Sequence, residues 1–470
     1  MIQIKLRLKL LLTCSLTFLG TSVIAQTNSQ PSQNTKVVVV GGGISGLIAA
    51  LHLERNGVDV ILLEKENAVG GRVYSESLGG ESVNLGAQYF FKSDNDYLNE
   101  YIDDAKTINF KLTKSAVVWN GEYIPSRWFW PFFFSLPVEK EVLTGFNKSI
   151  KEFQKEYEIL EEDREFILDK NPNSQKWLDL DKISGGDYLS KYNPEVKSLY
   201  NLILIPEGGK GVDQTSALMV ASWYGEQGKS TYEVVKGGNQ ELPKMIANDI
   251  KELGGTINLS TEVTEVKNKA NGVRVTCSNG EIYEADYAIV TTPASVARWI
   301  VKDLPEEKKT ALDSVSYGAS MQVGLHLVDL PKKIRISGCV FHNENINAYL
   351  DQSEKQKKNE TVVSINIAGE EAQQLSDEEL IKYVSETLKI IYPNFSIENN
   401  ISSYSIKKWE NGIVSFKPGF LTKYQDAIRA PVGNIIFGGD YTINPALDGA
   451  ALSGVRAADQ IIAKIAVPQE

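Results

Sequence analysis

Apolar and polar positions change period along the chain. Val37–Val40 is an unbroken apolar run, the pattern of a strand buried on both faces, and it stops at Gly41-Gly42-Gly43-Ile44-Ser45-Gly46. Beyond these glycines Leu47, Ala50 and Leu51 recur at helical spacing as far as Leu53, and Val58–Leu63 forms a second apolar run that ends at Glu64. The pattern therefore predicts strand, glycine-rich turn, helix and strand within 30 residues. Further on, Gln322–Leu327 and Val362–Ile367 read as strands and Asp377–Ile390 as a helix; Asn434–Phe437 reads as a buried strand that runs into glycines and a small-residue helix starting near Gly449.

The first of these turns carries chemistry. Gly41 allows a sharp exit from the strand, Gly43 leaves no Cβ in the way of a diphosphate, and Gly46 lets the helix pack closely on the sheet. An anion held there meets the helix N-terminus, with the backbone of Ile44 and Ser45 at its start. Glu64, 23 positions after Gly41, is placed to accept from a ribose 2′-hydroxyl and to repel a 2′-phosphate, which disfavours NADP. The segment binds a dinucleotide.

The continuation Glu64-Lys65-Glu66-Asn67-Ala68-Val69-Gly70-Gly71-Arg72-Val73 resembles the start of the flavin-containing amine oxidase superfamily, which includes monoamine oxidases, phytoene desaturases and protoporphyrinogen oxidases. Other segments match it in order. Asn84-Leu85-Gly86-Ala87-Gln88-Tyr89 is similar to the loop in front of the flavin, and Gly237-Gly238-Asn239 with Leu242 to the return from the substrate domain. Val263 lies in a stretch like the adenine-side strand, and Thr292-Pro293 in one like the strand-end turn after it. Phe437-Gly438-Gly439-Asp440-Tyr441 and Asp448-Gly449-Ala450 resemble the C-terminal flavin motif. The resemblance covers residues 36–465.

It implies an α/β fold: a Rossmann-like FAD-binding domain of the glutathione reductase type, made from residues 36–110, 235–295 and 405–470, interleaved with an α+β substrate domain at 111–234 and 296–404. It also implies FAD as cofactor, with Arg72 on a phosphate, Asp440 accepting from the ribityl or diphosphate end, and the helix start at Gly449 facing the pyrimidine edge of the flavin. Asn411 stands where some relatives attach FAD through a cysteine, so the cofactor is expected to be non-covalent. Amine oxidases of the family carry a lysine near N5 and two tyrosines walling the flavin; here those places hold Gln322, Gly412 and Ala446. Three departures in one pocket tilt the expectation towards a bulky apolar substrate, as for a desaturase, with an amine or amino-acid oxidase and a non-catalytic flavin-binding module as alternatives. The aromatic patch Trp128–Phe134 would then line an apolar funnel or dip into a membrane surface. Glu207-Gly208-Gly209-Lys210-Gly211 reads as a loop with no strand before it, so no second nicotinamide site is expected, and electrons should pass to oxygen or a quinone.

Composition narrows the partners. In 470 residues, 42% hydrophobic and 23% charged positions are ordinary for a globular chain of two or three domains. Lys5, Arg7 and Lys9 precede an apolar run from Leu10 to Ile24 and a small-residue site at Ala25, the form of a Sec-type signal peptide over residues 1–25, followed by a polar linker at 26–35; an N-terminal membrane anchor is the alternative. Loss of those three cations takes the formal charge from −11 to −14, which argues against nucleic acid or anionic lipid as electrostatic partners. Three cysteines without C-x-x-C spacing and three scattered histidines give no metal site, no redox dithiol and no histidine triad; whether Cys277 and Cys339 are bridged stays open.

Overall fold

The valine run becomes the middle of a parallel sheet. The computed structural model describes residues 35–91, 97–105, 107–109, 114–126, 136–161, 174–226, 232–331, 336–344, 346–354, 359–369 and 373–466. The signal-like segment and the aromatic patch at 128–134 lie outside the described residues. Five parallel strands follow the order Thr256–Asn258, Asp59–Leu63, Lys36–Val40, Tyr287–Val290 and Ile435–Phe437. Because successive side chains of a strand point to opposite faces, Val37 and Val39 pack against the Ile44–Arg55, Glu241–Leu253 and Leu447–Ala466 helices, while Val38 and Val40 pack against the antiparallel strands Val263–Asn268 and Val273–Cys277. An apolar run with no polar alternation is thus what a strand covered on both sides requires.

A second, seven-stranded sheet follows the order Ile401–Ser415, Ser316–Leu327, Thr361–Ala368, Ala348–Asp351, Gly338–His342, Ser115–Trp119 and Glu122–Ser126. Met321, Val323 and Leu325 point to one face, where the Asp377–Ile391 helix buries Leu380, Val384 and Leu388 against them. Elsewhere on the sheet, Val117 and Val340 pack with Phe146, Leu199 and Tyr200 of the Lys140–Glu161 and Val196–Gly208 helices. Alternation then sends Ser320, Gln322, Ser364 and Asn366 to the face opposite Met321, Val323, Val363 and Ile365, and all four line a large cavity between the two sheets.

Two details differ from the sequence reading. The strand Ile401–Ser415 pairs along its length with Ser316–Leu327, so the substrate sheet keeps residues up to 415 and the nucleotide sheet regains the chain only at Ile435–Phe437. Its half-buried, largely polar pattern is that of an edge strand, not of the covered parallel sheet. Glu207 and Gly208 do not lie in a loop; they close the Val196–Gly208 helix, and Gly209, at φ +66°, caps it in the left-handed region. Cys277 and Cys339 are both free and buried. Among the described residues no helix is long and apolar enough to cross a membrane.

Candidate active site

The glycine turn presents an uncapped helix start to open space. Gly43 is the N-cap of the Ile44–Arg55 helix with no side chain bonded to its first amides, and a Cβ at Gly43 would meet no atom within 4 Å. Gly46 is different: a Cβ there would lie 1.9 Å from the Gly41 carbonyl oxygen, so its role is helix-to-strand packing and it does not reach the cavity wall. The Glu64 carboxylate accepts from the backbone amides of Gly42 (2.6 Å) and Glu66 (2.8 Å). Burial pushes the Glu64 carboxyl above its ordinary range, against the pull of those two amides. Lys65 and Val263 line the same end of the cavity. The Ser45 hydroxyl is taken up internally: it bonds Ser453 Oγ at 2.7 Å and accepts from the Gly439 amide at 2.9 Å, tying the first helix to the last.

Arg72 and Asp440, read separately as partners of the cofactor, hold each other. Arg72 Nη2 donates to Asp440 Oδ1 at 2.8 Å and Nη1 to the Gly412 carbonyl at 2.9 Å, so one guanidinium joins three distant segments at the cavity wall. The preceding glycines make this possible. Gly70 donates to the Gly42 carbonyl at 2.8 Å, and both Gly70 (φ +127°) and Gly71 (φ +55°) use backbone conformations that other residues avoid. The loop at 84–89 is fixed beside it: the Ala87 amide donates to the Arg72 carbonyl, and Gln88 Oε1 accepts from Gln352 Nε2 (2.8 Å) and Ser364 Oγ (2.6 Å). Gly86, Ala87, Gln88 and Tyr89 all line the cavity, as do Thr292, Pro293, Gly439, Asp448 and Ala450. Gly449 does not; it packs against Asn444, whose Oδ1 would be 2.2 Å from an added Cβ.

Gln322, Gly412 and Ala446 also line this one cavity, whose volume is about 1360 Å³. Among the described residues, Gln322 Oε1 is buried without a hydrogen-bond partner, and so is Asn366 Oδ1, while Asn366 Nδ2 donates to Ser320 Oγ at 3.0 Å. Gly412 is small for a structural reason, since a Cβ there would lie 2.6 Å from the Gly318 carbonyl oxygen. Several wall residues carry no motif in the sequence. Lys407 stands directly opposite Gln322 in register, with its ammonium 4.7 Å from the Tyr74 ring and 4.9 Å from the Trp409 ring. Tyr89 donates its hydroxyl to Glu207 Oε1 at 2.5 Å, and burial pushes the Glu207 carboxyl up to about 7 although that hydrogen bond holds it down. A glutamate closing an apolar helix was the available signal for this last residue.

Residues 44–462 match the family described as flavin containing amine oxidoreductase. The chain belongs to that family. It is an FAD-dependent oxidoreductase with an FAD-binding Rossmann-like domain and a substrate domain. The chain is 23% identical over 457 residues to amine oxidase A of Sus scrofa, with 91% of this chain and 84% of the relative covered. Its identity to polyamine oxidase 4 of Oryza sativa subsp. japonica is 25%, with 93% and 89% covered, and to the L-amino-acid oxidase of Demansia vestigiata 26%, with 92% and 87% covered. Its fold is like that of a redesigned putrescine oxidase (TM-score 0.76, 22% identity, 92% of this chain and 99% of the other) and of cyclohexylamine oxidase from Brevibacterium oxydans (TM-score 0.73, 18% identity, 92% and 100%). The open space at Gly43, the uncapped helix start and a cavity larger than the usual 300–1,000 Å³ of small-ligand pockets fit a dinucleotide together with a substrate.

Proposed function

We propose that this enzyme oxidises amines, with oxygen as electron acceptor. The observation that carries this reading is the pair of buried acceptors, Gln322 Oε1 and Asn366 Oδ1, on the substrate wall. A polyene or porphyrinogen pressed against them would leave both unpaired, at roughly 1–3 kcal/mol each, whereas the N–H groups of an amine satisfy them. The bulky apolar substrate expected from Gln322, Gly412 and Ala446 finds no support among the relatives, and the packing of Gly412 on Gly318 accounts for one of its three premises.

Gly41, Gly43 and the start of the Ile44–Arg55 helix would hold the diphosphate of FAD, and Glu64 its ribose. Bound there, FAD supplies a two-electron acceptor that takes hydride from the carbon bearing nitrogen and passes the electrons to oxygen. The protein's own part is alignment. Gln322 and Asn366 orient the nitrogen, and the Arg72 bridge to Asp440 and Gly412 ties the walls together. The product is an imine, which water converts to a carbonyl compound. Under anaerobic conditions a panel of amines, amino acids, porphyrinogens and polyenes should show flavin bleaching by one or more amines. Bleaching confined to porphyrinogens or polyenes would refute the reading.

The basic and apolar pattern of residues 1–25 supports export of the enzyme. N-terminal sequencing of the native protein should begin near Gln26; an intact Met1 in the cytoplasmic fraction would exclude it.

A further inference from the structure

We infer that Arg429 and Arg456 hold a small monovalent anion of the halide class, such as chloride, in a closed site behind the C-terminal flavin motif.

The two guanidiniums meet on one turn. Arg429, the last residue of the Phe420–Arg429 helix, donates from Nε to the Thr442 carbonyl at 2.6 Å. Arg456 donates from Nη2 to the Phe437 carbonyl at 2.6 Å and to Thr442 Oγ1 at 3.3 Å. Lys308 brings a third cation to the same region, its ammonium 3.6 Å from the centre of the Phe437 ring. Like charges gathered in a low-dielectric interior repel one another strongly unless a counter-charge lies among them.

Among the described residues that counter-charge is missing. No carboxylate forms an ion pair with any of the three: Asp440 pairs with Arg72, Asp459 with His52, and Asp426, three residues before Arg429, is exposed. Donors are left over as well. Arg429 Nη2, Arg456 Nε, Arg456 Nη1 and the Tyr441 hydroxyl are all buried without a hydrogen-bond partner, and Arg429 as a whole is only 8% exposed. Burial, with help from Arg456, lowers the Arg429 guanidinium to about 9, and burial lowers Arg456 to about 10, so both are still charged at neutral pH.

The leftover atoms decide the ligand. A guanidinium carries donors alone, and a tyrosine hydroxyl can donate, so what this region lacks is an acceptor. Water accepts hydrogen bonds but brings no charge; an anion supplies acceptor and counter-charge together. Gln460 Oε1, one turn beyond Arg456 on the last helix, is also buried and unpartnered, but a neutral amide would leave both charges uncompensated. The FAD diphosphate is not the missing group, because Arg429, Tyr441, Thr442 and Arg456 do not line the cavity that fits the dinucleotide. Phe437 and Tyr441 belong to the apolar core around the site, and such closed surroundings suit a monatomic ion better than sulfate or phosphate. Occupancy would also reach the flavin motif: Thr442 ends the turn Asp440–Thr442, and Asp440 holds Arg72 at the cavity wall.

The test titrates FAD-loaded enzyme in sodium gluconate with sodium chloride at constant ionic strength. Its melting temperature should rise along a saturating curve by about 2 °C or more, since an ion bound by the folded state alone stabilises it. Sodium bromide should act in the same way and sodium sulfate should not, and Arg429→Gln should lose the response. Wild-type crystals soaked in bromide should show an anomalous scattering peak between the Arg429 and Arg456 guanidiniums, a readout that stands even where the variant does not fold. Absence of that peak overturns the inference, as does a response to chloride that is equal in Arg429→Gln or equalled by sulfate. A peak with no effect of chloride on melting marks an adventitious ion only and overturns it too.

Discussion

Replacing Gly43 by valine should yield a folded protein that contains no FAD. The backbone at this position is extended, φ −74° and ψ 177°, which a β-branched residue adopts without strain, and a Cβ meets no atom within 4 Å. The protein itself therefore tolerates the side chain. The diphosphate does not, because the added methyl groups occupy the space in front of the Ile44–Arg55 helix start where backbone amides face the anion. Purified Gly43→Val should show no flavin absorbance and no oxidase activity, while its circular dichroism matches that of wild-type protein stripped of FAD. Its melting temperature should match the stripped protein too, since a cofactor present at a thousand times its Kd contributes about 4 kcal/mol that the variant lacks. Gly46→Val is the contrasting case: its Cβ would overlap the Gly41 carbonyl oxygen at 1.9 Å, so the expected result there is loss of soluble protein. Normal flavin content in Gly43→Val would show that the cradle lies elsewhere.

That contrast also marks what a sequence can express. The open space at Gly43 and the close packing at Gly46 are local geometry, and the Val37–Val40 run announced a strand covered on both faces because burial of every side chain leaves no polar alternation. The Asp377–Ile391 helix was equally legible, since its apolar spacing and the Ser376–Glu379 capping box are properties of neighbouring residues. What stayed hidden depends on pairing between segments far apart. Nothing near Arg72 shows that its guanidinium meets Asp440 and the Gly412 carbonyl, more than 300 positions away. Gly412 and Ala446 look like space for a large apolar molecule when taken singly. Strand alternation, once Ser316–Leu327 and Thr361–Ala368 are paired, turns Gln322, Ser364 and Asn366 to the cavity and sends the neighbouring Met321, Val323 and Ile365 to the Asp377–Ile391 helix. The wall is polar because its register is fixed by the apolar face behind it.

The second large effect is on stability and comes from Lys308, beneath the strand that leads into the C-terminal flavin motif. Lys308 is 3% exposed; its ammonium donates to the Ile428 carbonyl and, at 2.9 Å, to the Ala430 carbonyl, at the end of the Phe420–Arg429 helix, and lies 3.6 Å from the centre of the Phe437 ring. Arg429 and Arg456 bond to Thr442 and Phe437 close by, so three cations share one buried region. Burial, aided by Arg456, lowers the Lys308 ammonium to about 7, whereas the same group in an unfolded chain titrates near 10.4. Between those values the unfolded chain binds more protons than the folded one, so the Lys308 contribution to stability rises with pH from about 7 to about 10 and is at its most unfavourable below 7. The slope approaches about 1.4 kcal/mol per pH unit, several kcal/mol over the window. Lys308→Met removes that titration while leaving an unbranched side chain against Phe437. Urea unfolding of both proteins at pH 7, 8 and 9 should show wild type gaining on the variant at each step, whatever their order at pH 7. Parallel curves would mean that Lys308 stays protonated in the fold throughout, and that the two carbonyls and the Phe437 ring compensate its burial in full.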